Sequence, residues 1–256
     1  MRAQKREGKY LRMRQGSFEI ASNREIAPDI YELVLEGDTS AIAAPGQFVN
    51  LRMDGFYLRR PISVCDWQDG RLLLIYKVMG RGTAALAEYP IGKSMDILTG
   101  LGNGYDMEKS GDMPMLVGGG VGIAPLYGLA KRLVQRGKRP TAVLGFNSGE
   151  SVFLKDSFDK LGVPMILCTA DASLGIPGFV TDGMDVAPDY SYVYTCGPEA
   201  MLKAVFYKSK TGGQFSFEER MGCGFGACMG CSCKTKYGAK RICRDGPVLE
   251  KEEIRW

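Results

Sequence analysis

The run Cys223-Gly-Phe-Gly-Ala-Cys228-Met-Gly-Cys231-Ser-Cys233, with Cys243 beyond it, restricts this chain more than any other feature. Five of the eight cysteines fall between positions 223 and 243. The spacing C-x4-C-x2-C with a further cysteine downstream is that of plant-type [2Fe–2S] centres. Thiolates hold the irons, and glycines let the backbone wrap a compact inorganic core with its N–H groups near the sulfurs. Zinc would also accept four thiolates, but its usual layout is paired C-x2-C knuckles. Disulfides and scattered core cysteines are the remaining alternatives. The template selects Cys223, Cys228, Cys231 and Cys243 as metal ligands and leaves Cys233 as a spare thiol.

The 256 residues contain no histidine. That absence removes Ser-His and Cys-His nucleophile pairs, Rieske ligation and histidine-bearing zinc sites. A formal charge of +4 makes no case for nucleic acid. No run of about 18 apolar residues is present, so no membrane-spanning helix is expected. Arg2, Lys5, Arg6, Lys9, Arg12 and Arg14 make positions 1–15 a basic extension. It has no apolar h-region and reads as a solvated arm rather than an export signal. Cysteines confined to one end, with no such signal ahead of them, fit a reducing cytoplasm and a metal site.

The rest of the chain divides by pattern. Over 16–108, Tyr31, Leu33 and Leu35 alternate with Glu32, Val34 and Glu36, and Pro45-Gly46 makes a turn. Positions 72–78 form a short apolar run. Short strands with Gly/Pro turns predict an antiparallel β-barrel. Over 109–213, strands at 115–117, 142–146, 165–169 and 192–195 alternate with helices. One helix shows Leu126, Leu129, Ala130, Leu133 and Val134 on one face. Alternation of this kind predicts an α/β domain with a parallel sheet. The tail, 214–256, is rich in glycine and cysteine and too short to hold itself together without a metal. The expected fold is therefore α+β and multi-domain: barrel, α/β nucleotide-binding domain, small C-terminal cluster subdomain.

Four further motifs carry chemistry. In Arg60-Pro61-Ile62-Ser63 an arginine can fork onto a diphosphate and a serine can reach a flavin ring, although an Arg-Pro pair is more often plain surface. Gly82 and Thr83, after the next strand, can offer backbone N–H groups to phosphate. Gly118-Gly119-Gly120-Val-Gly122-Ile-Ala-Pro125 joins a strand to a helix and permits close approach of a dinucleotide; a tight turn with no ligand is the alternative. Cys196-Gly197-Pro198 ends a parallel strand, where such sheets bind ligands, or Cys196 is a buried structural thiol.

In this order the motifs resemble the ferredoxin–NADP reductase superfamily. Arg60-Pro-Ile-Ser63, the 118–125 turn and the cysteine run with Arg241-Ile-Cys243-Arg-Asp-Gly-Pro247 are together similar to electron-transfer subunits of dihydroorotate dehydrogenase B. The resemblance spans nearly everything from Ser17 onward. It implies FAD across barrel and nucleotide domain, bound along Arg60, Pro61, Ile62 and Ser63, with Arg60 at the diphosphate and Ser63 near N5. Ile75, Tyr76, Lys77, Gly82 and Thr83 would line the rest, and NADH would dock its nicotinamide near Cys196-Gly197. Ser63 and Cys196 are the expected catalytic residues. The chain departs from many reductases at Ile62, where they carry a flavin-stacking tyrosine.

The resemblance also implies a direction of use. NADH gives a hydride to FAD, and electrons then pass singly through the [2Fe–2S] cluster. The implied partner is an FMN-binding dihydroorotate dehydrogenase catalytic subunit of pyrimidine biosynthesis, two copies of each chain forming the complex. Because electron transfer needs a short distance, an apolar patch around Phe225 and Met229 is expected to face that partner; the alternative is that both pack over the cluster and keep water out. An FAD/[2Fe–2S] diaphorase subunit of an NADH-dependent ferredoxin:NADP oxidoreductase, a sulfide dehydrogenase or a hydrogenase shares the layout. NAD is expected rather than NADP, because Asn147-Ser-Gly-Glu150-Ser offers no base for a 2′-phosphate and Glu150 repels one.

Overall fold

The computed structural model describes residues 13–256, so most of the basic extension lies outside the described residues. The first lobe contains β1 (Arg14–Ala27), β2 (Ile30–Glu36), β3 (Phe48–Leu51), β4 (Arg60–Gln68), β5 (Arg71–Lys77), α1 (Arg81–Ala87) and β6 (Ser94–Leu101). Its strands close into an antiparallel barrel in the order β1-β2-β5-β4-β3-β6. Arg14 and Gln15, assigned above to the extension, pair with Thr99 and Leu98 and so belong to the barrel wall. The interior is filled by Phe18, Ile20, Leu33, Leu35, Val49, Leu51, Leu72, Leu74 and Ile97, all essentially inaccessible. Side chains alternate across a strand, so a barrel of this size packs its lumen with every second residue.

The second lobe runs through β7 (Pro114–Gly119), α2 (Ile123–Gln135), β8 (Thr141–Phe146), α3 (Lys155–Lys160), β9 (Met165–Thr169), β10 (Ile176–Pro177), α4 (Val180–Val186), β11 (Tyr192–Cys196), α5 (Glu199–Lys208) and β12 (Gly213–Ser216). α2 buries Leu126, Leu129, Ala130 and Leu133 on the face expected from their spacing. Each buried leucine contributes about 1.5–3 kcal/mol by leaving water.

The cysteine-rich tail holds β13 (Ser232–Thr235), β14 (Gly238–Arg241), α6 (Ile242–Asp245) and β15 (Val248–Glu250). β13 and β14 form their own hairpin. β15, however, returns to the large sheet, whose order is β10-β9-β8-β7-β11-β12-β15. All its pairings are parallel except β12 with β15. β12 straddles the 213/214 boundary, and β15 lies beyond the cysteines. The tail is thus tied at both ends by sheet hydrogen bonds, an anchorage its short length did not reveal.

Candidate functional site

In the sheet order, chain progression reverses between β7 and β11. From β7 the chain runs outward through β8, β9 and β10, then crosses back to β11 on the other side. Ligands of open α/β sheets bind at such a switch point, outside the carboxyl ends of the strands. Gly118 pairs directly with Cys196 there. Beyond them the 3-10 turn Gly120–Gly122 leads into α2, and Pro198 caps α5. A Cβ at Gly122 would meet the Cys196 carbonyl oxygen at 2.5 Å, so the turn lies directly against the Cys196-Gly197 backbone. Gly119 and Gly197 both pack on Met201, and Pro125 is buried in the first turn of α2. The expected nucleotide residues, scattered over some 80 positions of sequence, are therefore neighbours.

Cys196 is buried, and that burial, reinforced by the charge of Glu218, pushes its thiol up to about 12. Glu218 is accessible but recessed in a cavity of about 390 Å³ lined also by Gly197, Pro198, Phe217, Cys233 and Trp256. Crowding by the surrounding protein raises its carboxyl above the usual range. Sequence reasoning missed Glu218; its place just past β12, the strand beside Cys196, was the only available signal.

On the barrel, residues 60–63 open β4 and are half-buried. Arg60 donates to the Leu58 carbonyl at 2.6 Å and lies 4.9 Å from the Phe56 ring centre. Its guanidinium also covers Gly82, where a Cβ would stand 2.2 Å from Nε. Thr83 Oγ1 accepts the Met79 N–H at 2.9 Å, tightening the start of α1. Ile75 faces the nucleotide lobe, in one hydrophobic cluster with Ile123 and Ala124. Tyr76 points the other way. Its ring stacks on Tyr31 at 5.6 Å and its hydroxyl donates to Asn23 Oδ1 at 3.0 Å. Only the backbone of Tyr76 is left to face a cofactor; Lys77 follows it, half-buried. Ile62 is half-buried and packs on the barrel core.

None of the eight cysteines is joined in a disulfide, which argues against the disulfide alternative. The four template cysteines form two close pairs. Cys223 Sγ accepts the N–H groups of Ala227 at 3.2 Å and Cys228 at 3.4 Å, and Cys228 Sγ accepts the Cys223 N–H at 3.4 Å. Cys231 Sγ accepts the Cys243 N–H at 3.3 Å. Burial works against ionising Cys223, yet the N–H groups of Cys228, Phe225 and Ala227 bring its thiol down to about 6. Burial and the neighbouring Cys231 raise Cys243. Among the described residues no three cysteine or acidic side chains converge as a ready cage for a single cation. Two thiol pairs ringed by inward N–H groups are a donor set that fits a two-iron core. Cys233 sits apart from them, in the wall of the Glu218 cavity.

The cysteine loop is seated on the barrel. Asn50 Nδ2 donates to the Cys223 carbonyl at 3.3 Å, while its Oδ1 is buried with no partner among the described residues. Asn50 pairs across β3 and β4 with Pro61. One strand of the barrel thus separates the 60–63 edge from Cys223.

Residues 218–255 match the iron–sulfur cluster binding domain of dihydroorotate dehydrogenase B, and residues 116–206 match the oxidoreductase NAD-binding domain. The chain is 43% identical to the dihydroorotate dehydrogenase B (NAD(+)) electron transfer subunit of Shouchella clausii (strain KSM-K16), covering 95% of this chain and 99% of that one. It belongs to that family of electron transfer subunits. The subunit of the same description from Bacillus mycoides (strain KBAB4) is 40% identical over 94% of this chain and 99% of its own. A solved structure of NADH-dependent reduced ferredoxin-NADP oxidoreductase, studied for flavin-based electron bifurcation, superposes with a TM-score of 0.86. It is 31% identical and covers 93% of this chain and 90% of its own. An Amycolatopsis cytochrome P450 reductase shares the fold, with a TM-score of 0.67 at 23% identity over 77% of this chain and 65% of its own. The chain is therefore an oxidoreductase subunit with NAD-binding and iron–sulfur-binding parts, and an electron transfer subunit of dihydroorotate dehydrogenase B works with a catalytic partner subunit. Among the described residues no helix is long and apolar enough to cross a membrane.

Proposed function

We propose that this chain carries electrons between NAD(H) and an FMN-containing dihydroorotate dehydrogenase subunit, holding FAD along the barrel edge and a [2Fe–2S] cluster on Cys223, Cys228, Cys231 and Cys243. When bound, the flavin supplies two-electron exchange with the nicotinamide and single-electron exchange with the cluster. The residues supply placement. Arg60, over Gly82, offers a forked cation to a diphosphate, and Ser63 lies three residues further along the same strand. The turn at 118–122 offers backbone N–H groups at the start of α2 to the nucleotide phosphates. Cys196, kept neutral by burial, packs the nicotinamide side without competing as a nucleophile. Glu150 is exposed in the turn after β8 and disfavours a 2′-phosphate. Phe225 and Met229 are exposed beside the thiols and supply apolar surface for the partner. Eight cysteines without a disulfide fit a reducing cytoplasm.

The observation that carries this reading is the seat of the cysteine loop on Asn50, one strand from Pro61. It supports a short path between the flavin edge and the thiols. The likeness to the NADH-dependent ferredoxin-NADP oxidoreductase favours a second reading, a diaphorase subunit of such an enzyme; the partner decides between them. Anaerobic co-expression with an FMN-binding dihydroorotate dehydrogenase subunit tests both. A yellow-brown two-plus-two complex, with one FAD and a two-iron cluster per copy of this chain, is the expected result. A colourless protein would sink the redox reading, and a coloured protein that ignores this partner would transfer it to the diaphorase.

A further inference from the structure

β4 and α2 each begin with a cofactor motif, and a few residues later the two elements are locked together. The pairing of β4 with β5 slips between Val64 and Asp66, a bulge at Cys65. Bulges bend a strand and re-aim its side chains. Here the bulge turns Asp66 out of the barrel toward α2. Asp66 is 9% exposed and receives two cations of that helix, Lys131 Nζ at 2.6 Å on Oδ2 and Arg132 Nη1 at 3.0 Å on Oδ1. Arg132 also donates to the Trp67 carbonyl at 3.3 Å and lies 3.5 Å over the Trp67 ring. One turn earlier, Gly128 rests on the Cys65 carbonyl so closely that a Cβ would stand 2.2 Å from the oxygen. A nearly buried carboxylate held by two cations, a stacked guanidinium and a backbone-on-backbone contact make a rigid joint.

We propose that Asp66, with Lys131, Arg132 and Gly128, is a positioning clamp that sets the nicotinamide end of the nucleotide lobe against the flavin edge of the barrel. This rests on the placement of FAD at 60–63 and of NAD(H) at 118–125 proposed above. From Asp66 back to Ser63 is three strand residues, about 10 Å. From Arg132 back to Pro125 is two helical turns, also about 10 Å. The clamp is the apex of two arms of similar length, with the cofactor motifs at their tips. A tilt of roughly 6° at the apex moves a tip of such an arm by about 1 Å. A misplacement of about 1 Å costs on the order of a hundredfold in a transfer that needs close alignment.

The test uses the full chain in complex with its catalytic partner and two variants that break the joint differently. Asp66→Asn removes the charge, and Gly128→Ala drives the helix off the Cys65 carbonyl. Both are expected to slow NADH bleaching of the flavin by about tenfold to a hundredfold. Both should also weaken the long-wavelength absorption band that nicotinamide stacked on flavin produces. FAD content and the affinity for ADP-ribose, which reports the nucleotide lobe alone, should stay within about twofold of the parent. Parent-like bleaching and band in both variants would overturn the clamp. So would a loss of FAD or ADP-ribose binding that matches the loss of rate, since the contacts would then serve the folding of a lobe. A parent complex binding neither FAD nor ADP-ribose would overturn the site placement itself.

Discussion

A Cβ at Gly224 would stand 2.4 Å from the Nδ2 of Asn50. The cysteine loop and barrel strand β3 can touch only because one of the two residues has no side chain, and Gly224 also takes a left-handed φ of 78°. Gly224→Ala should therefore lift the loop from the barrel at a cost of about 1–2 kcal/mol for the backbone conformation alone. Faster release of iron to a chelator, with flavin content unchanged, is the expected reading. Parent-like iron release would mean that the Asn50 seat does not hold the loop.

Arg60 and Gly82 should act together on the flavin. Arg60→Ala removes a forked cation, and a charge-assisted contact of this kind contributes about 1.5–3 kcal/mol. The FAD dissociation constant should rise by about tenfold to a hundredfold. Gly82→Ala should push it the same way by displacing the guanidinium from the position it holds over α1. Fluorescence of released flavin after gel filtration measures both. Full retention in Arg60→Ala would remove Arg60 from the site.

The thiol of Cys196 stays protonated up to about pH 12 because it is buried beside Glu218. In flavin-depleted protein it should resist iodoacetamide at pH 8, where an ordinary exposed cysteine reacts. A thiol held above its unfolded value also makes stability fall with rising pH, from near 9 upward, because only the unfolded chain then releases that proton. Glu218→Gln removes a negative charge that opposes the thiolate. It should move the alkylation midpoint of Cys196 to lower pH, read by mass spectrometry across a pH series. An unmoved midpoint would separate the two residues electrostatically.

Cys228→Ser should abolish the cluster while leaving NADH oxidation by artificial acceptors intact. Cys228 is exposed at the tip of the loop, and its substitution disturbs no core packing. The dithionite-reduced variant should lack the paramagnetic signal of a two-iron centre. Loss of diaphorase activity in a folded, flavin-replete variant would contradict the proposed order of carriers.

The strands and helices most legible in the sequence were those with a clean period. The spacing of Leu126, Leu129 and Leu133 named the buried face of α2, because a helix repeats every 3.6 residues. The apolar run that became β5 gave no such guide. Both its faces are largely hydrophobic, so nothing in the sequence told Ile75, which faces the nucleotide lobe, from Tyr76, whose ring lies inside the barrel. The return of β15 to the large sheet was equally hidden, since a three-residue strand beyond a cysteine loop carries no periodic signal.

By itself the sequence determined the thiol spacing, the glycine turn, the order of the three lobes and the absence of histidine chemistry, because each is a local property of residue type and spacing. Only the tertiary structure decided that Asn50 seats Cys223, 173 positions away, and that Asp66 meets Lys131 and Arg132. Asparagine and aspartate are ordinary surface residues until a closed barrel and a crossing helix bury them, and that closure depends on contacts no local pattern encodes.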